Sequence, residues 1–175
     1  MDYKKLLSHP LSKSSVDTIV ENVLHNPDDF PALTRLLFAD DNSTSRRALW
    51  ACEKIAKRKS DRFSANDIRR VEQLCLTTTD AGKKRLGISL LLHLPLSEPL
   101  NVELINHCFE WMLSPRWPSG LQSIAMKYLS EVCTKEPGLT QELTAYLENA
   151  HPSDYYPAFI VARRNTLKAL KKNSR

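Results

Sequence analysis

Four apolar residues, Ile55, Leu91, Leu129 and Leu167, recur along the chain at separations of 36, 38 and 38 residues. Four residues before them stand Ala51, Gly87, Ala125 and Arg163, and three residues after them Arg58, Leu94, Val132 and Leu170. Offsets of three and four place side chains on one face of an α-helix. Each set is therefore a stripe: mostly small residues, then a large aliphatic one, then mostly apolar ones again. The repeat length leaves room for two helices and their connections. A lone helical hairpin of that size cannot bury its apolar face, so the hairpins must stack on one another.

The rest of the chain agrees with an all-helical reading. Helical period recurs in almost every segment, and the breaks fall at proline or at Asp, Asn and Ser clusters. The spacing predicts helices at about residues 14–26, 29–38, 44–59, 66–78, 81–94, 100–113, 119–135, 138–149 and 156–172. Only four glycines are present, too few for a fold rich in β-turns or phosphate loops. No segment alternates with period two over the length of a strand. The fold class is all-α, an α-α superhelix of stacked antiparallel hairpins with about nine helices. It is read as one domain over residues 1–175, with a capping hairpin at 1–40, repeats at 41–172 and a disordered tail at 173–175.

Two stretches carry a family resemblance. "DDNSTSRRALWACEKIA", residues 40–56, and "DAGKKRLGISLLLHL", residues 80–94, each place an acidic turn before basic residues, small apolar residues and an aliphatic stripe. This pattern resembles the start of a HEAT repeat and extends, at pattern level, over residues 40–172. "SPRWPSGLQSIAMKYL" departs from it by lacking the turn acid, and "SDYYPAFIVARRNTLKAL" keeps Asp154 but moves its arginines one turn later. The resemblance implies a HEAT- or armadillo-type superhelix. It also implies that the turn acid and the helix-start base can pair between adjacent repeats.

The chain shows no phosphate-binding loop, dinucleotide fingerprint or nucleophile elbow. The histidines are His9, His25, His93, His107 and His151. None lies four residues from another, so no helix face offers a paired metal site. His107 and Cys108 are adjacent and point about 100° apart on a helix, too far to share a proton. Cys52, Cys75, Cys108 and Cys133 sit singly among apolar residues and read as core filler. Asp28–Asp29 and Asp40–Asp41 stand where helices start and read as caps. No metal, cofactor or catalytic residue is expected. The longest apolar run, residues 86–94, is far short of the roughly 20 residues that span a bilayer. No membrane association is expected. The first residues lack a signal-peptide pattern, which gives a cytoplasmic setting as the expectation.

Charge is unevenly distributed. The formal net of +5 comprises −3 over residues 1–43, +7 over 44–85, −4 over 86–151 and +5 from 152 onward. Arg47, Trp50, Lys54 and Arg58 share one side of a helix, and an aromatic among bases can serve nucleic acid. In HEAT-like stacks the second helix of each hairpin tends to line the concave face. Here those helices supply Arg69, Arg70 and Gln73 at a basic end and Glu103, Asn106 and Glu110 at an acidic end. A duplex along such a groove would meet like charge for much of its length. The first expectation is therefore a non-enzymatic scaffold that binds a protein partner through Arg69, Arg70, Gln73, Glu103, Asn106 and Glu110. The second is a nucleic-acid-binding protein using Arg47, Trp50, Lys54 and Arg58. Its sharpest form resembles the HEAT-like DNA alkylation repair glycosylases, with Trp111, Trp117, Asp154, Tyr155 and Tyr156 as raw material.

Overall fold

A computed structural model describes residues 1–8 and 12–173. His9 and the last two positions of the expected tail lie outside the described residues. Ten α-helices are present among them: α1 (Tyr3–Ser8), α2 (Lys13–His25), α3 (Phe30–Arg35), α4 (Asn42–Arg58), α5 (Ala65–Thr77), α6 (Ala81–Leu91), α7 (Val102–Leu113), α8 (Ser119–Lys135), α9 (Leu139–Asn149) and α10 (Pro157–Asn173). The described residues contain no strand.

The helix starts follow from local chemistry. Asp41 accepts hydrogen bonds from the Ser43 and Thr44 amides at 3.2 and 2.8 Å. Asp80 accepts one from Lys83 N at 2.8 Å, and Asn101 one from Leu104 N at 3.0 Å. Ser64 and Asp67 form a reciprocal capping box at the start of α5. Each satisfies amides that a first helical turn leaves without partners. Asp29 behaves differently from the expected cap. It makes no side-chain cap bond; it accepts from Tyr3 Oη at 2.8 Å and Asn22 Nδ2 at 3.0 Å instead. Burial and this carboxylate push the Tyr3 hydroxyl up to about 12.

Two compact units make up the fold, Met1–Ser97 and Glu98–Arg175. In the first, α4 packs against α2 on one side and α6 on the other, and α5 packs on α6. The stripe on α4 is buried as expected: Ala48, Ala51, Cys52 and Ile55 are each fully enclosed. Burying one aliphatic side chain of the size of Ile55 contributes about 1.5–3 kcal/mol, which is why this face sets the packing. Gly87 lies where α6 meets α5: an added Cβ would stand 2.4 Å from Cys75 Sγ. Only glycine permits that approach without movement. α6 stops at Leu91, short of the expected residue 94, and Pro95 restricts its predecessor to extended backbone.

In the second unit α8 packs against both α7 and α10, while α9 packs on α8 and α10. Leu121, Ala125, Met126, Leu129 and Val132 form the buried face of α8. Phe159 and Leu170 are buried on α10, and Leu167 is half-buried.

Candidate functional site

The basic side of α4 is tied into the fold. Arg47 Nη1 donates to the Leu7 carbonyl at 2.7 Å, at the end of α1. Lys54 pairs with Asp17 of α2 at 2.5 Å, and its ammonium lies 5.6 Å from the centre of the Trp50 ring. Arg58 pairs with Glu21, one turn further along α2. The Lys54 hydrogen bond holds the Asp17 carboxyl below its ordinary value, and the Arg58 guanidinium does the same for Glu21. The four residues share a side as the spacing predicts. Two of their three cations are already matched by acids.

The second-helix residues are placed differently. Arg69, Arg70 and Gln73 on α5 are all exposed, and so are Glu103, Asn106 and Glu110 on α7. Arg70 lays its guanidinium 4.3 Å from the centre of the Phe38 ring, which orders it without removing its donors from solvent. Glu110 approaches His107 Nδ1 at 3.4 Å, and the His107 ring stacks against Trp111.

The aromatic residues named for a repair enzyme are only partly gathered. Asp154, Tyr155 and Tyr156 line a hollow of about 290 Å³ with Pro115, Gln122 and Ser153. Trp111 is 2% exposed within α7. Tyr155 is committed to structure: its hydroxyl donates to the Leu113 carbonyl at 2.8 Å and its ring stacks on Phe159 at 3.7 Å. Burial and the Asp154 charge push its hydroxyl above its ordinary value.

A recurrence across the repeats was not anticipated. Near the start of the first helix of each hairpin, a polar side chain reaches back to a carbonyl at the end of an earlier helix, α1 for Arg47 and the helix immediately before for the other three. Arg47 takes Leu7 at 2.7 Å. Lys84 Nζ takes Cys75 at 2.8 Å, and Gln122 Nε2 takes Ser114, just past α7, at 3.0 Å. Arg163 takes Leu147 and Glu148. The Leu7, Cys75, Leu147 and Glu148 carbonyls lie at helix ends, where the last carbonyls have no intrahelical donor, while the Ser114 carbonyl also accepts from Trp117 N at 3.1 Å. Lys84 makes this carbonyl contact, and Asp80 caps its own helix. Arg46 and Arg85, absent from the sequence-based candidates, come together in a second hollow on the first unit.

Among the described residues no group of three or more His, Cys, Asp or Glu side chains could hold a metal ion. No helix there is long and apolar enough to cross a membrane.

Comparison with curated proteins returns no match. Among solved structures, the chain is similar to an engineered protein whose crystal structure comes from the Northeast Structural Genomics Consortium, with a TM-score of 0.51 and 17% identity. The match covers 97% of this chain and 42% of that one, so this chain spans less than half the length of its structural neighbour. At that identity the likeness shows the fold alone. A family model for the HEAT repeat domain matches residues 3–170. Stripe, small-residue approach and hairpin packing agree with that match over nearly the whole length, and the chain belongs to the HEAT-repeat family.

Proposed function

We propose that the protein is a non-enzymatic cytoplasmic scaffold that binds a protein partner through the second helices of its hairpins. The observation that carries this reading is a division of labour between helices. On the first helices, Arg47, Lys84, Gln122 and Arg163 close helix ends, and Lys54 and Arg58 pair with acids. Arg69, Arg70, Gln73, Glu103, Asn106 and Glu110 on α5 and α7 face solvent. Exposed, ordered polar groups on a rigid scaffold are what a partner can read. HEAT repeats generally mediate such contacts.

Recovery of the wild-type partner on immobilised protein tests this. Reversing charge at Arg69 and Arg70 lowers recovery; unchanged recovery discards the assignment.

Nucleic acid is the second reading, favoured by the bases on α4 and by the hollow at Asp154, Tyr155 and Tyr156. It ranks lower because Lys54 and Arg58 already face Asp17 and Glu21. Phosphate contacts dominate affinity for nucleic acid, and a cation held by a carboxylate offers little to a second anion. A mobility-shift titration with duplex at low salt decides, since attraction is greatest there.

A further inference from the structure

The first unit holds a hollow of about 360 Å³ between the N-terminal halves of α4 and α6, lined by Arg46, Arg47, Trp50, Glu53, Arg85 and Leu86. Three of these six residues are arginines and one is a carboxylate. The carboxylate is already engaged: Glu53 Oε1 takes Lys57 Nζ at 3.0 Å and Ser89 Oγ at 2.8 Å. Burial pushes the Glu53 carboxyl up, but these bonds outweigh it and keep the carboxyl below its ordinary value. Arg47 uses Nη1 on the Leu7 carbonyl, which fixes the side chain and leaves the rest of its fork. Arg46 donates from Nε to Asn42 O at 3.4 Å, and this leaves its two terminal nitrogens. No ion pair holds Arg46 or Arg85 among the described residues.

Gly82 helps to set this geometry. A Cβ there would stand 2.9 Å from Arg46 Cδ and 3.3 Å from Arg46 Nη1. The bare backbone of the first turn of α6 is thus the bed on which Arg46 lies. Asp80 Oδ1 is also close to that point, at 3.0 Å, but it is the cap acceptor for Lys83 N.

We propose that this hollow is a docking site for a phosphorylated side chain on an acidic segment of a protein partner. The inference rests on the scaffold reading and adds a second contact surface to it. Charge complementarity selects the ligand. The lining carries a surplus of two positive charges, and a phosphate ester brings a charge of about −1.5 to −2 with three acceptor oxygens. Arginine forks match such oxygens in bidentate geometry. Leu86 and the Trp50 ring supply an apolar wall for the neighbouring peptide.

Two observations favour peptide over nucleic acid. The surplus charge is local, because Lys54 and Arg58 further along α4 are matched by Asp17 and Glu21; a nucleic-acid backbone needs a track of cations. The Trp50 ring already carries the Lys54 ammonium, which occupies a face that base stacking would require.

The test is fluorescence anisotropy at low salt on the full chain, with a labelled glutamate-rich phosphoserine peptide, its unphosphorylated counterpart and a labelled DNA strand. The phosphopeptide is expected to bind best. Arg46→Glu with Arg85→Glu is expected to weaken it about tenfold or more, the scale of one lost charge-assisted hydrogen bond. Gly82→Ala, which displaces Arg46 without altering charge, is expected to weaken it by a smaller factor. Lys127→Glu, on the exposed face of α8, is expected to leave it unchanged. Circular dichroism confirms that each variant folds. Equal binding of both peptides, tighter binding of DNA, or full affinity in the double arginine variant overturns the proposal. If the phosphopeptide fails while partner recovery still depends on Arg69 and Arg70, the scaffold reading stands and this site falls.

Discussion

The Lys84 ammonium donates to the Cys75 carbonyl at 2.8 Å, and the residue is 5% exposed. It joins the start of α6 to the last turn of α5, and Arg47, Gln122 and Arg163 make the same kind of connection elsewhere. A buried carbonyl deprived of its donor costs about 1–3 kcal/mol. Lys84→Met keeps the aliphatic stem and removes the donor. It is expected to lower unfolding free energy by at least that amount in urea titration, with an unchanged m-value.

The contact at Gly87 gives a prediction with a change of sign. In an open helix, Gly→Ala stabilises by about 0.8–1 kcal/mol. Here the new methyl would meet Cys75 Sγ at 2.4 Å inside a closed core, and overpacking costs about 1–3 kcal/mol. Gly87→Ala is therefore expected to destabilise. In a Cys75→Ala background the obstruction is gone, because the next neighbour, Val71 Cγ1, stands at 3.9 Å. There the same substitution is expected to stabilise. A double-mutant cycle by thermal or urea unfolding checks both signs.

Acid sensitivity is expected at the start of α4. Hydrogen bonds from the Thr44 hydroxyl and amide, then from Ser43, hold the Asp41 carboxyl well below its ordinary value. The folded state therefore favours the ionised form. Its contribution is fully present above the unfolded value of about 3.9 and is lost as pH falls through the lower folded value. The stability gap between wild type and Asp41→Ala is expected to be level from neutral pH to about pH 5 and to narrow below about pH 4. Urea titrations across that range measure it; a gap that does not narrow contradicts the assignment.

Neutralising the acids on α2 tests whether they mask the bases of α4. Asp17→Asn with Glu21→Gln would release Lys54 and Arg58. The double variant is expected to bind duplex more tightly than wild type at low salt, with a steeper salt dependence. No change in a mobility-shift titration would mean that the pairs do not govern access to these bases.

Much of the scaffold was legible in the sequence because helical period and burial coincide. Ala51, Ile55, Ala125 and Leu129 were placed inside by spacing alone and are buried. Asp41 and Asp80 were legible as helix-start acids because capping is local. What was not legible depends on distant partners. The six residues of α1 lack the length to show a period, and Tyr3 is fixed by Asp29 and Asn22 far along the chain. The expected helix at 29–38 breaks into a 3-10 turn, α3 and another 3-10 turn, since Pro27 and Pro31 remove amide donors. Arg163 did not fit the small-residue register, and its reason is the far end of α9. The Arg46–Arg85 hollow was missed for the same cause: grouping residues by phase along one helix cannot see a site built from two.

Hydrogen exchange on wild type and Lys84→Met tests the central claim, that side chains near first-helix starts lock each hairpin to the end of an earlier helix. Amides at the end of α5 and the beginning of α6 are expected to exchange faster in the variant, while those of α8 and α10 keep their protection. Unchanged protection at the α5–α6 junction, or a uniform loss along the whole chain, would contradict it.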